Sequence, residues 1–401
     1  TVLRPGVQPA APNGASCPGQ EAVLRIYSNL GLIRTLVAIL CGLTMASGCE
    51  EATPDPAGPD RSKSVRQDVE RVFKANLAMH PANTTTALGL GQPLRTTPTR
   101  SQWGLRNLFQ PAISIQWQTG LVKNDKPVRI AIIDESFDIE AVGLKHAFDV
   151  DAGLNLLEPG EPLWTAHRNG FHHGNLVASI IANQPTGERS PIGVLGRSPV
   201  ELIPIVAAGG DGPSWRTPRA TPRMVLDGLR HALDSGADLI NISAGMDVSH
   251  EELRQLASDP IWDDLEKSEI PVICAAGNQG RNIDTAPLFP ASIDRPNVIA
   301  VMGVGPDGEL AVRRDPATGT YVPASNWGPD TVDLAAPGEV IEVQARADRP
   351  ELVDGTSAAT AFVTAVMATG IDPRIRPLPG LATHGLKTGL IQFPPGIPLE
   401  E

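Results

Sequence analysis

Residues Pro127–Asp134, PVRIAIID, form a continuous apolar run that ends in a carboxylate. A run that is apolar on both faces is typical of a parallel strand buried beneath helices. In open α/β sheets, sites form beyond the carboxyl ends of the strands, which is where Asp134 would lie. An aspartate at this point also serves commonly as a helix cap, so the stretch alone leaves two roles open for Asp134.

Strand and helix patterns alternate downstream of this run. Apolar strand patterns occur at residues 200–206, 237–242, 271–276 and 297–302, and helical patterns at residues 222–234 and 251–265. Alternation of this kind predicts βαβ units with right-handed crossovers. The sequence therefore predicts an α/β protein with a parallel sheet.

Ser357 lies within a second informative stretch, DGTSAAT at residues 354–360. An almost uncharged run of small and apolar residues continues to Ala368, which predicts a buried helix. A serine in the first turn of such a helix meets unpaired backbone N–H groups and the positive end of the helix dipole. This position suits a nucleophile whose attack creates an oxyanion. The alternative is that Thr356 or Ser357 is only an N-cap.

His173 heads another apolar helical pattern, HGNLVASIIA at residues 173–182. A lone histidine at a helix start is more often structural than catalytic. Asp134, His173 and Ser357 nevertheless follow one another in one of the three chain orders known for a charge-relay triad. The order favours a nucleophilic serine over three unrelated structural residues.

Asn278 follows the predicted strand at residues 271–276. Gly277 and Gly280 beside it permit tight turning and the close approach of a substrate backbone. Taken alone, Asn278 would be interpreted as a turn former.

Together these motifs resemble the subtilisin-like serine peptidases, or subtilases, over roughly residues 100–370. Asp134, His173 and Ser357 match the family's three catalytic motifs, and Asn278 matches its oxyanion asparagine. Three further stretches also resemble the family, namely FPAS at residues 289–292, SNWG at residues 325–328 and VDLAAPG at residues 332–338. The resemblance implies a three-layer subtilisin-like α/β fold, in which a mostly parallel central sheet is flanked by helices.

The resemblance also implies an activity, the hydrolysis of peptide bonds in protein or peptide substrates. Ser357 would be the nucleophile, His173 its general base, and Asp134 the residue that orients the imidazole. The Asn278 side chain and the Ser357 backbone N–H would hold the oxyanion. No cofactor is required for this chemistry. Many family members bind structural calcium, but no acidic cluster in this sequence matches a calcium loop, so no metal ligand is assigned.

A substrate pocket is implied in the same way. Ser243, Ala244, Gly245, Ala276 and Gly277 would flank the pocket for the side chain that precedes the cut. Extended substrate would pair there as an added strand. Small residues on both sides predict a broad pocket without narrow specificity.

Some neighbours of the motifs depart from the family pattern. Glu135 stands where Ser or Thr is usual, Asn175 where Thr is usual, and Ala361 where Pro is usual. These departures favour an alternative, a catalytically weak or inactive subtilase-like surface binding module, whereas the intact set of catalytic residues argues against it. A nucleotide-binding α/β protein is dismissed, because GVGPDG at residues 303–308 fails the dinucleotide fingerprint and precedes no clear helix.

Composition narrows the choice of partners. The 401-residue chain has a formal net charge of −12 and no basic cluster, which disfavours nucleic acid as a partner. Its cysteines, at positions 17, 41, 49 and 274, show no metal-site spacing and no disulfide framework. Cys274 lies within an apolar run and is interpreted as a small buried residue.

Residues 1–49 are interpreted as an upstream segment followed by an export signal. Arg25 and Arg34 precede an uncharged stretch at residues 35–45, followed by Ala-Ser-Gly and Cys49. This is the anatomy of a secretory signal, and its apolar core is too short for a membrane-spanning helix. The small residues before Cys49 resemble a bacterial lipobox, with Ala46 in place of the usual Leu; a plain signal peptide is the alternative. We expect an exported protein at the cell envelope or outside the cell, held to the membrane through lipidated Cys49.

The remaining segments complete the predicted organisation. Residues 50–100 are rich in proline and poor in large apolar residues, which indicates a tether or a short pro-segment. Residues 101–370 form the predicted subtilisin-like peptidase domain. Residues 371–401 are expected to be an irregular Pro-rich tail, because they lack the amphipathic pattern of the helices with which the family continues. Either the tail packs irregularly, or the reading frame was lost near residue 370.

Overall fold

Strand β1, Val128–Asp134, lies in the interior of a nine-stranded sheet. In this computed structural model the described residues are 126–163, 171–186, 190–196, 198–207, 220–314, 320–345, 350–370, 374–378 and 389–392. All of them belong to one compact unit, Pro59–Glu401. The predicted signal with Cys49 and the predicted tether lie outside the described residues.

The strands of the main sheet run in the order β14-β15-β11-β8-β6-β4-β1-β3-β2. Every pair of neighbours is parallel except β14 and β15. Besides β1, the bounds are β2 Leu154–Asn155, β3 Val200–Val206, β4 Leu239–Ile242, β6 Val272–Ala275, β8 Val298–Val304, β11 Leu334–Pro337, β14 Arg374–Pro377 and β15 Gly389–Gln392. The predicted parallel sheet is confirmed, with strand ends within two residues of those expected.

Within the described ranges, three two-stranded sheets accompany the main sheet. The first pairs β5 with β7, the second β9 with β10 and the third β12 with β13. Their bounds are β5 Met246–Asp247, β7 Leu288–Phe289, β9 Val312–Arg314, β10 Tyr321–Pro323, β12 Ile341–Val343 and β13 Glu351–Val353.

Helices cover both faces of the sheet. Their bounds are α1 His173–Ala182, α2 Pro222–Asp234, α3 His250–Ala257, α4 Ile261–Lys267 and α5 Thr356–Ala368. Ile130 and Ile132 of β1 belong to the core that includes α1 and α5, whereas Ala131 and Ile133 belong to the core that includes α2 and α4. Burying each isoleucine contributes about 1.5–3 kcal/mol. The predicted three-layer α/β fold is therefore confirmed.

Helix α5 is buried along its whole length, as the small and apolar composition predicts. Its polar groups find partners inside the fold. The Thr360 hydroxyl donates to the Thr356 carbonyl at 2.8 Å. The Thr364 hydroxyl lies 2.9 Å from Asn241 Oδ1 on β4, and Asn241 itself is fully buried. These bonds offset the cost of burying the hydroxyls and tie the helix to the sheet.

The region predicted as a helix over residues 251–265 is two helices. Residue Ala257 ends α3, and Ile261 begins α4. Pro260 stands between them, and it provides no N–H for a continuous helix and disfavours helical backbone at the residue before it. Trp262 then fits into the core against Phe289, with ring centroids 6.3 Å apart.

The C-terminal segment also differs from the expectation of an irregular tail. Residues Gly389–Gln392 add β15 to the sheet beside β11, and Arg374–Pro377 pairs with it in the antiparallel direction. Leu390 and Ile391 are buried. Each strand has only four residues, too few to show a clear pattern among the prolines.

The strand order of the main sheet determines where the site lies. Starting at β1, the chain adds β3 on one side and then returns to add β4 on the other. Such a reversal leaves a crevice beyond the carboxyl ends of the strands, where open α/β sheets bind ligands. Asp134, Ser243 and Asn278 all lie at or just after the carboxyl ends of β1, β4 and β6. Within the described ranges no helix is long and apolar enough to cross a bilayer.

Candidate active site

Asp134 ends β1 with its side chain 1% exposed. Its Oδ1 accepts a hydrogen bond from the Glu135 N–H at 2.8 Å and lies 2.7 Å from His173 Nδ1. A carboxylate so deeply buried needs a charged or hydrogen-bonded partner. The imidazole is that partner.

His173 is the first residue of α1, and this position aims its ring across the sheet edge. While Nδ1 faces Asp134, Nε2 lies 3.1 Å from Ser357 Oγ. The Nδ1 contact fixes the tautomer, because Nδ1 must carry a proton to bond the carboxylate. Nε2 of a neutral His173 is then free to accept the serine proton.

The pKa of His173 reflects opposing influences. Burial lowers the pKa, but the charge of Asp134, the hydrogen bond to Asp134 and the charge of Glu135 outweigh it and raise the pKa to about 9. The imidazolium form is thus strongly stabilised. Glu135, which stands where the family usually has Ser or Thr, contributes to the raised pKa of His173.

Ser357 is the second residue of α5 and is 7% exposed. Its Oγ lies 3.1 Å from His173 Nε2 and donates to the Ser243 carbonyl at 3.1 Å. In return, the Ser243 hydroxyl donates to the Ser357 carbonyl at 3.3 Å, and it accepts from Asn241 Nδ2 at 2.9 Å. The start of α5 is therefore tied directly to the end of β4.

Asn278 lies against the same helix terminus. Its Oδ1 accepts from the Thr356 N–H at 2.8 Å and from the Thr356 hydroxyl at 3.0 Å. The Thr356 hydroxyl also accepts from the Gly277 N–H at 3.1 Å. Since Oδ1 is held by two donors, the orientation of the amide is fixed and Nδ2 is directed away from Thr356.

Gly355 leaves room for the Asn278 amide. Its φ of 138° lies in a region that side chains rarely adopt, and a Cβ at this position would lie 3.1 Å from Asn278 Nδ2. The glycine before Thr356 and Ser357 thus permits both the sharp entry into α5 and the close approach of Asn278.

Asn326 is a residue of the site region that the sequence motifs did not identify individually. It is fully buried, and its Nδ2 donates to the Ala276 carbonyl at 2.8 Å. Its Oδ1 accepts from the N–H groups of Gln279 and Arg281 at 2.9 and 3.1 Å. These bonds fix the loop that carries Asn278. The SNWG stretch was the available signal, but nothing in it indicates which loop Asn326 bonds.

The five predicted pocket residues lie beside this arrangement, in two segments that follow β4 and β6. Ser243 contacts Ser357, and Gly277 contacts Thr356, as described above. Between the two segments lies Leu288 of β7, which the sequence motifs also did not identify. The sequence patterns do not indicate this contact, because it joins separate segments of the chain.

One group in the described part of the chain has the composition of a metal site. Ligand atoms of Asp134, Glu135 and His173 lie within 4.8 Å of one another. Asp134 and His173 already bond each other, so a metal would have to displace that bond. The arrangement suits proton transfer between Ser357 and His173 better than metal coordination.

Comparisons with known proteins identify the family of the chain. Residues 125–374 match the model of the subtilase family, peptidase S8. The major intracellular serine protease of Bacillus subtilis (strain 168) is 27% identical over 256 residues, which cover 63% of this chain and 70% of that protein.

Two solved structures resemble the fold. A cold-adapted subtilisin-like serine proteinase matches with a TM-score of 0.53 at 19% identity, covering 74% of this chain and 99% of that one. An epidermin leader peptide processing serine protease from Staphylococcus aureus matches with a TM-score of 0.54 at 20% identity, covering 71% of this chain and 73% of that one. The matched family model spans more than half of the chain and contains every residue of the site described above. The chain belongs to the subtilase family of serine-type peptidases.

Proposed function

We propose that this chain is a serine endopeptidase in which Ser357, His173 and Asp134 act as a catalytic triad. The observation that supports this most directly is the continuous chain of contacts from Asp134 Oδ1 through His173 to Ser357 Oγ, at 2.7 and 3.1 Å. The protease relatives indicate protein or peptide substrates.

In the first step, Ser357 Oγ adds to the carbonyl carbon of the scissile bond. Its proton moves to His173 Nε2, which then delivers it to the leaving amine. Asp134 holds the ring and stabilises the imidazolium without taking the proton. In the second step, water loses a proton to His173 and attacks the acyl-enzyme, and the Ser357 hydroxyl is restored as the leaving group.

The negative charge on the substrate oxygen needs donors that are already in place. We propose Asn278 Nδ2 and the Ser357 N–H for this role. Thr356 occupies Asn278 Oδ1 with two hydrogen bonds, so the Nδ2 end of the amide is the end available to a substrate. The Ser357 N–H lies in the first turn of α5, where backbone donors lack partners within the helix.

An activated serine is tested by labelling the full chain with a fluorophosphonate probe. We expect stoichiometric labelling of the native protein and none of Ser357→Ala, since only a serine with a neighbouring base attacks the phosphorus readily. Ser243→Ala is the matched control, because Ser243 contacts Ser357 but lies outside the triad, and it should still label. Equal labelling of native protein and Ser357→Ala, or no labelling of a folded sample, would instead favour a surface binding module.

We expect an unusual pH dependence of kcat/KM. His173 accepts a proton only when neutral, so activity should be low at acidic pH and rise as the pH passes through the pKa of His173, raised toward about 9. Glu135 contributes to this shift from within 4.8 Å, and Glu135→Gln should move the rising limb to lower pH. Glu140→Gln, an exposed carboxylate on the same loop, should leave the limb in place.

The measurement is kcat/KM for one peptide from pH 5 to about pH 10 in constant ionic strength. A rising limb near pH 6.5, the usual pKa of histidine, in both the native chain and Glu135→Gln would contradict the role of Glu135.

Export, lipidation of Cys49 and any calcium requirement stay predictions. The residues concerned with export lie outside the described residues. We propose an exported, lipid-anchored peptidase, which metabolic labelling with a fatty-acid probe would test, since Cys49→Ala should abolish incorporation.

A further inference from the structure

Leu288 fills the gap between the two segments that were predicted to form a broad substrate pocket. A Cβ on Gly245 would lie 2.5 Å from Leu288 Cδ2, and a Cβ on Gly277 would lie 2.7 Å from the same methyl group. One methyl group therefore lies against both glycines. The glycines, which looked like walls of an open pocket in the sequence, instead make room for Leu288.

The filled gap lies beside the nucleophile. Two residues before Gly245, the Ser243 carbonyl accepts from Ser357 Oγ at 3.1 Å. On the other side, the Gly277 N–H donates to the hydroxyl of Thr356, the neighbour of Ser357, at 3.1 Å. A substrate held with its carbonyl at Ser357 would thus direct a side chain near these two glycines.

Leu288 is held firmly in this position. Its side chain is 1% exposed, and its N–H donates to Ser292 Oγ at 3.0 Å. It also pairs with Asp247 in the β5–β7 sheet. The next residue, Phe289, is fully buried against Trp262. A substrate side chain cannot displace Leu288 without disturbing a packed core, and such overpacking is costly.

We propose that Leu288 restricts the side chain preceding the cut to glycine, alanine and serine. The inference rests on the proposed function, because it assigns a substrate class to the same site. A small side chain needs no space beyond that left by the two glycines, whereas leucine or phenylalanine would overlap the Leu288 methyl group. In hydrophobic pockets even one methylene changes kcat/KM by about 10- to 200-fold.

The test uses the full chain and peptides that differ only in the residue before the cut, namely glycine, alanine, leucine or phenylalanine. We expect kcat/KM for the alanine peptide to exceed that for the phenylalanine peptide by at least about 100-fold. Leu288→Ala should raise kcat/KM for the phenylalanine peptide by about 10- to 100-fold and reduce the preference accordingly. Leu265→Ala, a buried leucine of the same core on α4, should leave the preference unchanged.

Leu288→Val provides a milder variant for the case that Leu288→Ala does not fold, and it should reduce the preference by a smaller factor. Equal kcat/KM for the alanine and phenylalanine peptides in the native chain would overturn the inference. An unchanged ratio in folded Leu288 variants would also overturn it.

Fluorophosphonate labelling separates this result from the proposed function. Absence of labelling in a folded sample means that Ser357 is not activated, and the proposed function fails together with the inference. If labelling occurs, peptide aldehydes ending in alaninal or phenylalaninal are used to compete with the probe. Protection at lower concentration by the alaninal peptide supports the role of Leu288, and equal protection by the two aldehydes overturns it while the proposed function stands.

Discussion

Replacing His173 by alanine should lower kcat for peptide hydrolysis on the order of 10⁶-fold. The reason is geometric. His173 Nε2 lies 3.1 Å from Ser357 Oγ, where it can receive the proton that the hydroxyl must lose during attack. Without that base the serine remains protonated, and it is a weak nucleophile at neutral pH. The magnitude is taken from subtilisin, where loss of the serine or the histidine alone costs about as much as loss of the whole triad.

The same reasoning predicts how the variants combine. Ser357→Ala should lose about as much kcat as His173→Ala, and the double variant should be no slower than either, because residues that act as a unit are not additive. The measurement is single-turnover and steady-state hydrolysis of one peptide by purified full chain. His172→Ala is the control, since it changes the same residue type one position away. A loss as large in His172→Ala, or additive losses in the double variant, would contradict the assignment.

The identity of the three candidate residues could be predicted because each occupies an end of a strongly patterned element. Asp134 follows seven residues of strand pattern, and His173 and Ser357 head apolar helices. Parallel strands bring their carboxyl ends to one edge of the sheet, so residues at these points converge whatever the loops between them do. Chain order then favoured the triad over separate structural roles.

The residues that support the site could not be predicted from the sequence, for a physical reason. Asn326 bonds a loop about fifty residues earlier in the chain, and Leu288 lies against Gly245 and Gly277. Such contacts depend on how separate loops pack, which strand and helix periodicity does not encode. A small residue in a sequence gives no indication of which neighbour takes the space beside it.

The strands show the same contrast between what a local sequence pattern predicts and what depends on tertiary packing. The interior strands β1 and β3 are buried on both faces and were predicted with nearly correct ends. By contrast, β2 has two residues and β15 has four, and both are held in place by neighbouring strands rather than by their own patterns. Their formation is decided by tertiary pairing.

Asp134→Asn should lower kcat on the order of 10⁴-fold, the loss known when an asparagine replaces the aspartate of a serine peptidase triad. The substitution keeps the shape of the side chain but removes its charge. Asp134 is 1% exposed and lies 2.7 Å from His173 Nδ1, so its charge acts on the imidazole through little solvent. An asparagine can present its NH₂ group to Nδ1, which places the imidazole proton on Nε2, where it blocks acceptance from Ser357.

Two further measurements distinguish this effect from a loss of folding. Because the charge of Asp134 raises the pKa of His173, Asp134→Asn should shift the rising limb of kcat/KM to lower pH, whereas kcat itself stays low across the whole pH range. Asp138→Asn is the matched control on the same loop. The Asp138 carboxylate accepts a hydrogen bond from the nearby Glu140 N–H at 3.1 Å. The kcat of this variant should stay within a few-fold of the native value. If Asp134→Asn reached the native kcat at pH values above its lowered rising limb, Asp134 would act only by tuning the pKa of His173, and its orienting role would be wrong.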